Sequence, residues 1–144
     1  MLDSGVKVAI GTDGAASNDN LDVWEEMRLT ALLARGHGHD PTAMSAAQAL
    51  SLASSAGASA IGLEDVGELR PGAWADIVHV DLDHPSMTPG NADDLIAHLV
   101  WAGSASQVAN VWVAGNQVVH DGEITTVDRH AVQRQAQQAA RRIS

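Results

Sequence analysis

The stretch from Val6 to Asn20 constrains the fold most, because it reads as a short buried strand running into a polar, glycine-rich turn. Val6, Val8 and Ile10 are β-branched and lie between Gly5 and Gly11, the pattern of a central strand. A strand is therefore expected over residues 6–12. Asp13 stands at its carboxyl end, with Gly14, Ala15 and Ala16 keeping bulk away from the carboxylate. α/β barrels and open α/β sheets place their chemistry there, beyond the carboxyl ends of the strands. Taken alone, Gly11 to Gly14 reads as a plain turn, in which Asp13 bonds its own backbone and glycine supplies a positive φ.

The longer string separates these readings. Gly11-Thr12-Asp13-Gly14-Ala15-Ala16-Ser17-Asn18, then Leu21-Asp22 and Trp24-Glu25-Glu26-Met27-Arg28-Leu29, closely resembles the amidohydrolase superfamily. The nearest branch is that of the methylthioadenosine and S-adenosylhomocysteine deaminases, with chlorohydrolases and guanine deaminases close by. The resemblance implies that Asp13 ends the eighth strand of a TIM barrel. There it would be both metal ligand and catalytic residue, relaying a proton from the water that the metal activates. It implies a divalent metal, zinc or else iron, and a purine nucleoside as small-molecule substrate. The family's remaining site residues are a first-strand His-x-His, a fifth-strand histidine, a sixth-strand histidine and a glutamate acid. None of the segments that carry them is found in this sequence.

A complete barrel of this kind needs roughly 250 residues, and this sequence has 144. The expected fold is thus α/β: a C-terminal fragment of a metal-dependent TIM barrel, its last strand and helices, plus part of a small β-sandwich domain. Residues 1–61 would be the barrel end. Residues 62–127 would be part of a sandwich built from both chain ends, with a short helix at 93–102, and 128–144 a C-terminal surface helix. Met1 to Gly5 would correspond to the end of the helix before the eighth strand, so the chain would start within a domain. An N-terminal complement or a homo-oligomer is the expected partner, and the chain alone is expected to be inactive. Two alternatives stay open: a truncated or split fragment without catalysis of its own, and a relative of guanine deaminase or triazine chlorohydrolase type. The Ala15-Ala16-Ser17-Asn18 loop favours the adenosine-type branch.

Bulk properties narrow the partners. A net charge of -10 and a pI near 4.8 argue against nucleic acid and anionic membrane surfaces. The absence of cysteine removes disulfides and thiolate metal sites and fits a cytoplasmic protein. Met1 to Gly5 lacks the basic start and apolar core of a signal peptide, and no apolar run reaches the ~20 residues of a membrane span.

Further along, a helix is expected from Asp22 to about Ala34, capped by Asp22 with Glu25 in a capping-box pattern and ended at Gly36. Trp24, Met27, Leu29, Ala31 and Leu32 would form its apolar stripe, with Glu25, Glu26 and Arg28 mostly outside. His37 and His39 form a His-x-His pair, but they follow a helix, whereas the family's pair follows the first strand. They are read as a solvated loop. One helix, Met44 to Ile61, is expected with Ser45 as cap and a stripe of Leu50, Ala53, Ala56, Ala60 and Ile61. From Gly62 the pattern turns to strands. The segment Gly67-x-Leu69-x-Pro71-Gly72-x-x-Ala75-Asp76-Ile77-Val78 is similar to the family's C-terminal signature, and Asp76 is expected to brace a turn through backbone hydrogen bonds. His84-Pro85 and Pro89-Gly90-Asn91 bracket a loop. His98, beside the stripe of the 93–102 helix, is read as a packed residue and not a ligand. Val108 to Ala114 and Gln117 to His120 are expected as a hairpin turning at Gly115-Asn116. Asp121-Gly122 would turn the chain out, and Asp128 would cap a helix over 129–142 with Arg141 and Arg142 at its negative end. A strand at 6–12 with both edges unpaired, and helices with no barrel to cover, predict aggregation or self-association.

Overall fold

The structure, a computed structural model, describes residues 4–88 and 92–142. Helices α1 (Val23–Gly38), α2 (Ala46–Leu52) and α3 (Ser55–Ala60) come first, followed by strand β1 (Ile77–Val80) and helix α4 (Leu95–Trp101). Strands β2 (Val108–Val113), β3 (Asn116–His120) and β4 (Glu123–Ile124) then complete an antiparallel sheet in the order β1-β2-β3-β4, and α5 (Arg129–Ala140) follows. The architecture is α/β, as expected. The turn expected at Pro89-Gly90-Asn91 and the helix remnant at Met1 to Asp3 lie outside the described residues.

The core belongs to the helices. Met27 and Ala31 of α1, Met44 just before α2, Ala49 and Leu52 of α2, and Val100 of α4 form one buried cluster. No strand residue is fully buried. A large apolar cleft of about 1110 Å³ remains between helix residues Trp24, Met27 and Leu50 and sheet residues Val80, Val108 and Val111.

Several local expectations are corrected. Residues 6–12 form no strand: they carry no regular secondary structure, with Val8 and Ile10 packed on the core and Val6 exposed. The alternation is there, but a ladder needs a neighbouring strand, and the sheet lies elsewhere in the chain. Ile10 instead donates its N–H to the Leu52 carbonyl at 3.4 Å.

Helix α1 runs through Gly36 and His37 to Gly38. It ends when His39, at φ 49°, takes the left-handed position and Asp40 and His39 donate back to Arg35 and Gly36. His37 is therefore helical and His39 is the residue that closes the helix. Leu29 and Leu32 are exposed, and Arg28 turns inward onto α4. Asp22 caps α1 by accepting from Trp24 and Glu25, yet no capping box forms, because the Asp22 N–H goes to Asn20 Oδ1 at 2.8 Å.

The single helix expected over 44–61 is two. Ser45 and Gln48 make the capping box of α2, and the helix breaks at Ser54, where φ −131° and ψ −107° leave helical geometry. The Ser54 hydroxyl donates to the Leu50 carbonyl at 2.6 Å, a back-bond that competes with the helical ladder. The break shifts the phase, so Ala49 and Leu52 are buried while Ile61 is exposed.

The hairpin is shifted by one residue. Its turn is Ala114-Gly115, both at positive φ (49° and 78°), as a type I′ turn demands, and Asn116 opens β3. Asp121 and Gly122, also at positive φ (47° and 77°), do not release the chain but fold it into β4.

Candidate functional site

Asp13 follows segment 6–12 and adopts φ 59°, a conformation that side chains other than glycine tolerate mainly when a short polar group bonds locally. Its carboxylate does so twice. Oδ1 accepts the Gly14 N–H at 2.8 Å, and Oδ2 accepts the Ser17 hydroxyl at 2.7 Å. The Gly14 carbonyl accepts the N–H groups of Ser17 and Asn18, each at 3.0 Å, so the loop closes into a turn.

The Ser17 hydroxyl and the Gly14 N–H hold the Asp13 carboxyl below the usual carboxylate range, because both bonds favour the charged form. Asp13 is exposed and ionised at neutral pH. A carboxylate in this state can ligate a cation through lone pairs left free by its two bonds. The expected turn is present, and its local hydrogen bonds are what orient the carboxylate.

Asn18 ties this loop to α1. Its Nδ2 donates to the Thr12 carbonyl at 3.0 Å and to Glu26 Oε1 at 2.8 Å, and its Oδ1 accepts the Asn20 N–H at 3.1 Å. The sequence displays both residues, but only their spacing of eight across a cap hinted that they would meet.

The donor set for a resident metal is incomplete. Among the described residues no three His, Cys, Asp or Glu side chains come together in a way that could hold an ion. Catalytic zinc sites normally use three protein ligands; Asp13 fits as one ligand, and the chain as described does not supply the rest. His37 and His39 lie exposed at the end of α1 and belong to no such group. Asp76 is likewise structural: its Oδ1 accepts the Ala114 N–H at 2.6 Å and braces the hairpin turn. His98 is half-buried on α4, its Nδ1 enclosed and without a hydrogen-bond partner among the described residues.

Helix α4 is held by Trp24, from the expected apolar stripe of α1, and by Arg28, which was expected mostly outside it. The Trp24 indole donates to the Leu99 carbonyl at 2.6 Å, and Arg28 donates to the carbonyls of Val100, at 3.0 Å, and Gly103. These are carbonyls at a helix end that have no partner within the helix. Among the described residues no helix is long and apolar enough to cross a membrane.

Comparison with known proteins places these features in a family. The 5-methylthioadenosine/S-adenosylhomocysteine deaminase of Pelotomaculum thermopropionicum is 42% identical over 143 residues, which is 99% of this chain and 33% of that protein. The chain thus spans about a third of the length of the curated relatives it matches. A zinc-bound adenosine deaminase from Xanthomonas campestris superposes with a TM-score of 0.93 at 37% identity, covering 99% of this chain and 32% of that one. A zinc complex of atrazine chlorohydrolase from Arthrobacter aurescens gives 0.86 at 29% identity, over 95% of this chain and 30% of its own. Residues 1–118 match the amidohydrolase family, and to that family this chain belongs.

Proposed function

We propose that this chain is the C-terminal part of a metal-dependent aminohydrolase that deaminates an adenine nucleoside-type substrate of the methylthioadenosine or S-adenosylhomocysteine class. The observation that carries the reading is Asp13: an ionised carboxylate oriented by Gly14 and Ser17, in a chain 42% identical to a deaminase across nearly all its length. In this reading Asp13 is one metal ligand and a proton relay, and the other ligands lie outside the chain. Zinc is the favoured ion, because two of the structural relatives, the adenosine deaminase and the chlorohydrolase, hold zinc. When bound, such an ion makes hydroxide available near neutral pH.

The protein's own contribution is orientation. Ser17 and Gly14 direct the Asp13 carboxylate, and the surrounding Gly14, Ala15 and Ala16 leave room for a partner group. Residues 1–61 then read as the barrel end, 62–127 as part of a composite sandwich and 128–144 as the C-terminal segment that carries the surface helix α5 (Arg129–Ala140), in a cytoplasmic protein. The higher identity to the adenosine deaminase, 37% against 29% for the chlorohydrolase, favours deamination over dechlorination.

The test joins this chain to the upstream two thirds of the Pelotomaculum relative, in place of that protein's own last third. The chimera is expected to retain zinc and release ammonia from 5′-methylthioadenosine, and Asp13→Ala to abolish both. Stoichiometric zinc in the 144-residue chain alone, or an active Asp13→Ala chimera, would refute the reading.

A further inference from the structure

We propose that Asn18, anchored by Glu26, is a positioning residue that sets the direction of the Asp13 carboxylate; the inference rests on the metal-ligand reading of Asp13.

The argument begins with the backbone. The peptide plane between Thr12 and Asp13 is the reference from which the φ of Asp13 turns. Its oxygen, the Thr12 carbonyl, is held by Asn18 Nδ2 at 3.0 Å. The other side of Asp13 is held by its own carboxylate, through Gly14 and Ser17. The left-handed conformation at Asp13, φ 59°, is thus pinned from both ends. Removing either end lets the backbone relax toward negative φ, which swings the carboxylate away.

Asn18 is chemically suited to this task. Its amide must give two hydrogens, to Thr12 and to Glu26, and take one, from Asn20. Aspartate has no hydrogens to give, and serine has one and a shorter reach. The network also fixes which end of the amide is nitrogen, since both neighbours on that side are acceptors. Glu26 supplies rigidity. It stands on α1 immediately before Met27, which is buried in the core, so the latch connects a packed helix to the exposed loop. Groups behind a metal ligand commonly orient it in this way, and here the route runs through a backbone carbonyl.

The test reads amide hydrogen exchange at Gly14, Ser17 and Asn18, in the 144-residue protein and in the chimera described above. Asn18→Ala and Glu26→Ala should each speed exchange there by about five- to tenfold, the population change of one lost hydrogen bond, and leave Met27 to Leu33 unchanged. Glu26→Gln keeps an acceptor oxygen and should restore wild-type exchange, which a role of charge alone would not do. In the chimera, Asn18→Ala and Glu26→Ala should lower kcat with little change in KM, and Glu26→Gln should rescue it. Unchanged exchange in Asn18→Ala refutes the latch whatever the chimera does. Faster exchange with unchanged kcat refutes the positioning role. An inactive chimera with Asn18 and Glu26 intact refutes the metal reading instead, and the exchange data still decide the latch. Glu26→Ala favours the helix it sits on, so it serves where Asn18→Ala disturbs folding.

Discussion

Asp76 Oδ1 accepts the backbone N–H of Ala114 at 2.6 Å and so joins the entrance of β1 to the tip of the β2–β3 hairpin, 38 residues on. The Gly115 N–H donates to the Ala75 carbonyl at 3.0 Å beside it. Ala114 has φ 49°, which its Cβ disfavours. Ala114→Gly should therefore stabilise the protein, by about 0.5–1 kcal/mol, since the new residue adopts the conformation without strain. Asp76→Ala should cost about 1 kcal/mol, and Asp76→Asn, which keeps an acceptor, less. Urea unfolding of the three variants measures both signs, and a destabilised Ala114→Gly would show that the turn is not strained.

The junction of α1 with α4 gives a second expectation. Trp24→Phe removes the donor to the Leu99 carbonyl and leaves that oxygen half-enclosed without its partner. The expected loss is about 1–3 kcal/mol. Arg28→Lys should lose as well, because one ammonium cannot reproduce the fork that reaches Val100 and Gly103. Thermal unfolding by circular dichroism reads both, and an unchanged Tm in either would mean the contact carries no net stability.

Gly103 lies under Trp24. A Cβ there would meet the Leu99 carbonyl oxygen at 2.4 Å and the indole ring at 2.9 Å. Gly103→Ala should cost roughly 1–3 kcal/mol, in the range of overpacked cores, and the same variant in a Trp24→Ala background should cost less. Equal losses in the two backgrounds would locate the clash at the backbone alone.

The pH dependence follows from two aspartates. Ser17 and Gly14 lower the pKa of Asp13, and the Thr42 hydroxyl and N–H lower that of Asp40. A carboxyl whose folded pKa is depressed contributes stability above its unfolded value of about 3.9, and that contribution fades as pH falls through the folded value. Acid sensitivity from these groups should therefore appear only below about pH 4. Ser17→Ala should raise the Asp13 midpoint toward the ordinary range and leave Asp40 where it is. Carboxyl carbon NMR shifts resolve the two titrations, and an unmoved Asp13 would exclude the Ser17 bond.

The apolar cleft between helices and sheet, about 1110 Å³ and lined by Met27, Leu50, Val80, Val108 and Val111 among others, predicts self-association of the chain on its own. Sedimentation should show assemblies, and a hydrophobic dye should bind. A monodisperse monomer that unfolds cooperatively and binds no dye would contradict this.

Sequence legibility tracked how local the cause was. The caps at Asp22, Ser45 and Asp128 were readable because each depends on a few adjacent side chains. The Asp13 turn was readable for the same reason. What escaped depended on distant groups. Val6 to Thr12 has the alternation of a strand, but pairing needs a neighbour that this pattern cannot contain. Arg28 looked like a surface cation until the carbonyls of α4 came into reach. The break at Ser54 hung on one hydroxyl choosing the Leu50 carbonyl. Asn18 and Glu26 were visible as residues, not as a pair.

The grip of Trp24 and Arg28 on α4 spans 72 to 75 residues of chain, with β1 in the interval. Closing so long a loop is entropically slower than folding the β2–β3 hairpin, whose partners are neighbours in sequence. By this argument the helical core should be sealed late, when Val100 docks on α1 and α2. Until that moment Met27 and Leu52 face solvent, so the time during which the nascent chain is vulnerable to proteases and to its own copies is set by this one closure.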